Sequence, residues 1–220
     1  TEIGIAARDA KTALSATLSS LNARYGDRFL FSGDATATLP FPDQTALLSD
    51  LELIADTATG AADFKTQLDD YFSSPTGGWL QNIYKGSPTA SDAESVTADN
   101  AAIKSLIRDL AVLAISGPEG SLASLGGYSD LVKDTSLSLS ASETKITNLR
   151  ADLGVYEERN AISLKTLDTE ETLLNASFNN LTARDEYEAA TELQSLQTTL
   201  EASYMITARL SQLSLLNYLG

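Results

Sequence analysis

The sequence predicts a mainly α fold: an elongated rod or bundle of long antiparallel helices carrying a small α+β insertion. The leading observation is an apolar row with a seven-residue beat: Leu139, Ile146, Leu153, Asn160, Leu167, Leu174 and Leu181, broken only by the Asn. Weaker companions follow three residues on, at Ser142, Leu149, Tyr156, Ser163, Glu170 and Ser177. Such spacing keeps one seam on one side of a helix that lies along other helices. A helix from about Tyr128 to Leu181 would be roughly 80 Å long, more than a globular domain is wide. The second observation is composition. The chain is 43% hydrophobic but only 7% aromatic, enough for a helical core and lean for a compact β fold. The third is an ending, Leu213, Leu215, Leu216, Tyr218 and Leu219, that is apolar nearly all round and must be buried somewhere.

Each element follows from local signals. Ile3, Ala7, Ala10, Leu14, Leu21 and Tyr25 share one helical face, and Gly26 stops that helix. Arg28-Phe29-Leu30-Phe31-Ser32-Gly33 reads as a strand or extended segment, and Pro40 and Pro42 keep the chain extended around Phe41. Asp43 caps a helix through Leu47, Leu48, Leu51 and Ile54 that ends near Gly60. A second short helix covers Asp63 to Phe72, and Pro75-Thr76-Gly77-Gly78 is a turn. Trp79 to Tyr84 alternates as a strand would, with Val96 on its partner. Asp99 caps a helix through Ile103, Leu106, Ile107, Leu110 and Leu113, ended by Gly117-Pro118. Gly126-Gly127 places the start of the long helix near Tyr128. Within it Gly154 costs about 1 kcal/mol relative to Ala, and a close helix–helix contact is its expected use. Asp185 marks a break and a new cap before a last amphipathic segment from Tyr187 to Leu219. Its stripe is Leu193, Leu196, Leu200, Tyr204, Thr207, Leu210 and Ser214, with Ile206, Leu213 and Leu216 beside it.

Charge and missing residue types narrow the function. A net charge of −15 argues against nucleic acid and against an anionic membrane surface. With no His and no Cys, a Ser–His–Asp triad, a thiolate nucleophile, a disulfide and a thiolate metal site are all impossible. The chain is read as no enzyme, with no cofactor and no metal. Asp69-Asp70 and Glu157-Glu158 are adjacent carboxylates, which diverge on a helix and make no catalytic pair. Asp56-Thr57-Ala58-Thr59-Gly60 lacks the alternating acidic ligands of a calcium loop. Trp79 with Tyr84, Phe72 and Tyr71 is either a carbohydrate platform or, far more commonly, an aromatic core. Asn160 either fixes register within the seam or lies solvated at its edge.

Four runs in order carry a family resemblance. Arg28-Phe29-Leu30-Phe31-Ser32-Gly33, with Thr38 and Pro40-Phe41 after it, resembles the signature of flagellar hook–filament junction proteins. Arg150-Ala151-Asp152-Leu153-Gly154 is similar to a run in the long C-terminal helix of the flagellin superfamily. Asp185-Glu186-Tyr187-Glu188-Ala189-Ala190 resembles the acidic joint before the last helix, and Ala208 to Leu219 resembles the junction-protein ending. The resemblance covers about residues 1–42 and 128–219. It implies a hook-associated protein, exported unfolded without a cleaved signal and located outside the cell in the flagellum. It implies contacts with itself and with other axial proteins (hook-associated proteins, flagellin), and with an export chaperone at the C-terminal helix. It implies a discontinuous rod of residues 1–42 and 121–184, an outer α+β insertion at 43–120, and an inner-tube assembly helix at 185–220. Thr1 lies inside a helical pattern, so the N-terminal helix that pairs with that last one in family members is expected to be absent. Leu193, Leu196, Leu200, Tyr204, Leu210, Leu213, Leu216 and Leu219 are the expected assembly interface. Leu139, Ile146, Leu149, Leu153, Tyr156, Leu167, Leu174 and Leu181 are the expected rod seam, packing mainly within the chain. A flagellin, or a surface adhesin on the same scaffold, are the alternatives.

Overall fold

A computed structural model describes residues 2–43, 45–91 and 95–218; side chains 183–185 and 212–218 lie outside the description. The fold is mainly α. The chain divides into two compact units, Thr1–Tyr156 and Glu157–Gly220. The first unit holds α1 (Glu2–Leu21), a hairpin of β1 (Arg24–Tyr25) and β2 (Arg28–Phe29), α2 (Ala46–Thr57), α3 (Ala61–Ser73), and α4 (Ala101–Ala114). Helix α5 (Tyr128–Tyr218) begins in the first unit, and its residues from Glu157 on make up the second.

Helix α1 buries Ala7, Ala10, Leu14, Leu18 and Leu21, a stripe at three- and four-residue spacing. Ile3 and Tyr25, expected on that face, are exposed. Tyr25 leaves it because the helix ends at Leu21 and the chain turns into the hairpin, reversing over Gly26 at φ 59°. Asn22 fixes the exit: its side chain donates to the Phe41 carbonyl and accepts from the Phe41 N–H, both at 2.9 Å.

Phe29, Phe31, Ser32 and Gly33 of the Arg28–Gly33 run each have a structural reason, while Leu30 is exposed. Arg28 and Phe29 form β2, and the Arg24 guanidinium sits over the Phe29 ring at 4.9 Å. Phe31 packs against the core, and buried Ser32 donates to the Thr38 carbonyl at 2.6 Å. Gly33 has φ 58°, and a Cβ there would run into the carbonyl oxygens of Thr89 and Ser87.

The expected strand at Trp79–Tyr84 is instead one wide helical turn, Trp79–Ile83, closed by the Tyr84 N–H donating to the Trp79 carbonyl at 2.8 Å. The turn puts Trp79, Ile83 and Tyr84 into the core together, where an extended chain would send Ile83 and Tyr84 to opposite faces. Val96 belongs to no strand either, and the only strands among the described residues are β1 and β2. Trp79 is wholly buried, with Phe72 at 5.4 Å, Phe41 at 5.7 Å and Tyr84 at 6.0 Å between ring centroids. This cluster is core, which removes the carbohydrate platform. Burial, and then the Asp99 charge, push the Tyr84 hydroxyl well above its ordinary pKa; burial and the hydrogen bond to Asp50 do the same to Tyr71.

The cap position of α2 is Thr45 rather than Asp43, but Asp43 still serves the start of the helix, accepting from the Ala46 N–H at 3.2 Å and the Thr45 N–H at 2.8 Å. Asp99 does not cap α4. Asn100 holds that place, its Oδ1 accepting from the Ala102 N–H at 2.9 Å. Asp99 instead accepts from the Trp79 indole N–H and the Lys104 ammonium, each at 2.8 Å.

Helix α5 starts at Tyr128 as the glycine pair predicts. Its register against α4 is set by Asp109, a buried carboxylate that accepts from the Ser138 and Ser142 hydroxyls, both at 2.8 Å, and from the Arg108 Nε at 3.4 Å. Arg108 continues to Asp69 on α3 at 3.0 Å, and Lys65 on α3 reaches Asp134 on α5 at 2.8 Å. Nothing within 4 Å would meet a Cβ on Gly154, so no close contact within this chain explains it. The expected break at Asp185 is also absent from the backbone, which stays helical; its side chain lies outside the description.

Replacing Asp109 by Ala removes the acceptor of the Ser138 and Ser142 hydroxyls between α4 and α5 and should cost about 2–4 kcal/mol in a denaturant titration. An unchanged midpoint would remove the carboxylate from its register role. Gly154→Ala, at a helical φ with open space around it, should raise stability by up to about 1 kcal/mol. Hydrogen bonds from Thr45 and Thr59 hold the Asp43 and Asp63 carboxyls below 3.8, and the bond from Lys65 does so for Asp134. A depressed carboxyl stabilises the fold above its unfolded pKa and loses that contribution as pH falls through its folded value. The denaturant midpoint should therefore drop as pH falls below about 4. An Asp43→Ala/Asp63→Ala variant should show a shallower drop.

Candidate assembly surface

The second unit is helix, and its sequence explains why. No Pro follows Pro118, and Gly154 is the sole Gly between Gly127 and Gly220. Its threonines, poor helix formers, donate back to carbonyls four residues earlier: Thr166 to Ile162 at 3.0 Å, Thr172 to Asp168 at 2.9 Å, Thr191 to Tyr187 at 2.8 Å. The polar face thereby satisfies its own hydroxyls without a tertiary partner.

The apolar face has no such solution. No side chain described between Glu157 and Ser211 is buried. Leu164, Leu167, Leu174, Phe178 and Leu181 follow three-, four- and seven-residue steps, which place them on one helical face. Leu193, Leu196, Leu200, Tyr204 and Leu210 make a second stripe, each between 57% and 67% exposed. Glu188, Glu192 and Glu201 are exposed beside it. An isolated helix gains most of its stability from burying one face, and contiguous exposed apolar surface marks an interaction site.

The expected seam therefore divides. Leu139, Ile146 and Leu149 are half-buried against the core of the first unit. Leu153 is 40% exposed, and Tyr156 is half-buried. Leu167, Leu174 and Leu181 are all exposed, so the packing within the chain expected for the whole seam does not extend to them. A heptad beat says that a face wants a partner, without saying whose. Asn160 is exposed, on the solvated side of its two readings. Of the expected interface, Leu193, Leu196, Leu200, Tyr204 and Leu210 are together on the bare stripe; Leu213, Leu216 and Leu219 lie outside the described side chains. The sequence reasoning missed Phe178, having taken Ser177 as the companion position; a four-residue step from Leu174 would have found it.

Among the described residues no helix is long and apolar enough to cross a membrane. Residues 138–219 match the family model of the bacterial flagellin C-terminal helical region. No curated protein and no solved structure matches the chain. The family-model match covers the same helix that carries the bare stripes. The likeness is to that C-terminal helical region alone and leaves residues 1–137 outside it.

Proposed function

We propose that the chain is the component of the bacterial flagellum that joins hook to filament, and that it assembles through the apolar stripes of α5. The observation that carries this reading is a helix of the flagellin C-terminal type on which no described side chain beyond Glu157 is buried. Burial of that surface against neighbouring subunits supplies the driving force, and repetition of the same contact builds the layer. Leu193, Leu196, Leu200, Tyr204 and Leu210, continued by Leu213, Leu216 and Leu219, are the contact residues. Residues 1–42 and 121–184 serve as rod, 43–120 as outer insertion, and 185–220 as assembly helix. The partners are other copies, hook-associated proteins and flagellin. An export chaperone masks the apolar end before secretion, which proceeds without a cleaved signal to the cell exterior.

The Arg28–Gly33 run favours a junction protein, while the family-model match accommodates a filament subunit equally, so the test separates them. Fluorescently tagged chain is added to isolated hooks, followed by flagellin. Binding at the hook tips that then permits flagellin addition is expected; filaments grown by the chain alone would identify a filament subunit. In sedimentation, the full chain should form concentration-dependent oligomers. Each buried Leu contributes about 1.5–3 kcal/mol, so Leu193→Ser/Leu200→Ser should weaken them at least about 100-fold. The thermal transition of the first unit should be unchanged. A monomer at every concentration would overturn assembly through this stripe.

A further inference from the structure

The first unit presents two small surfaces whose chemistry finds no match within the chain. One is the hairpin. Tyr25 is 81% exposed, and together with Arg28 and Leu30, both exposed, it lines a recess of about 370 Å³. The recess is formed before any partner arrives, because the Leu30 N–H donates to the Ala23 carbonyl at 3.0 Å and the Phe29 N–H to the Thr36 carbonyl at 2.8 Å. Asp34, the acid on the same recess, accepts from the Ser91 N–H at 2.7 Å. Arg24 is held over Phe29 and lies 3.8 Å from Asp27. Arg28 makes no ion pair among the described residues, in a chain with 30 acidic and 15 basic side chains. Tyr and Arg are the residue types that anchor protein interfaces. The other surface is the outer face of α2. Ser49, Glu52, Leu53 and Asp56 follow three- and four-residue steps and are all exposed, Leu53 at 64%. Asp56 stands in the last turn, where the helix dipole disfavours an acid, and it too makes no ion pair among the described residues.

We propose that these two surfaces meet between copies of the chain, the hairpin of one copy seating on α2 of the next. Leu53 enters the recess beside Tyr25 and Leu30, and Arg28 pairs with Asp56. A second copy is the occupant because each surface carries what the other lacks: a cation beside exposed apolar groups on the hairpin, a leucine between two acids on α2. An acidic chain repels its own copies, so a local match of opposite charge decides which faces meet. A contact between unlike surfaces leaves one of each free on every pair, and it therefore repeats from copy to copy, closing into a ring where the rotation permits. The contact uses the first unit alone. It goes beyond the assembly reading above and leaves the stripes of α5 to other neighbours.

The chain has no Cys, so introduced pairs form without competition. A chain carrying Tyr25→Cys is mixed with one carrying Leu53→Cys and oxidised. The mixed disulfide dimer should outnumber either same-variant dimer, and Tyr25→Cys with Leu137→Cys, exposed on α5, should give little. Adding Arg28→Glu to the Tyr25→Cys chain should cut the mixed dimer about 5–10-fold, and adding Asp56→Arg to its partner should restore it to within about 2-fold. Unchanged Trp79 emission shows that each variant keeps its core. A mixed dimer no more abundant than the Leu137→Cys control, or one that the charge swaps leave unchanged, would overturn this contact; oligomers of the parent chain would still uphold assembly by α5. A charge-dependent link in a parent that sediments as a monomer at every concentration would retain this contact and remove the stripe.

Discussion

Asp109 is the constraint on which the first unit depends. A carboxylate buried among α3, α4 and α5 must be satisfied by donors, because an unpaired charge in that place costs several kcal/mol. Two serines one turn apart on α5 and the neighbouring guanidinium supply them. Apolar packing alone would tolerate sliding of α5 by a turn, since Leu139, Ile146 and Leu149 would find similar neighbours. The pair of serine bonds does not tolerate it. The polar network thus supplies register, and the leucines supply adhesion.

A second constraint works at the other side of the unit. The aromatic cluster around Trp79 collects rings from segments far apart in sequence, Phe41, Phe72 and Tyr84. Polar groups orient it: Asp99 takes the indole N–H, and the Tyr84 hydroxyl lies 2.9 Å from the Phe31 carbonyl and 2.8 Å from that of Ser87. Phe31 and Ser32 belong to the run that follows the hairpin. The same short stretch therefore closes the hairpin, ties down the loop around Ser87 and helps to roof the core.

The helical elements were legible in the sequence because their signals were periodic and punctuated. Gly126-Gly127 before Tyr128, Asp43 before Ala46 and the stripe of α1 each combine a stop or start with a repeat. The turn at Trp79 was not legible, because a short apolar run fits a strand and a buried helical turn equally until its neighbours are known. The capping of α4 went to Asn100 rather than Asp99 because a tertiary demand, the buried indole, had the stronger claim on the carboxylate. On the assembly surface, periodicity identified the residues but not their partner, since intrachain and interchain seams have the same beat.

Complete burial of Trp79 has a practical consequence for anyone handling the protein. It is the only Trp in the chain, and it reports on the first unit alone. Tryptophan emission, excited at wavelengths that tyrosine does not absorb, therefore follows the core of the first unit and is blind to the rest. Circular dichroism, in contrast, carries a large contribution from the helix beyond Glu157. The two optical signals separate folding of the core from ordering of the assembly helix in one unlabelled sample.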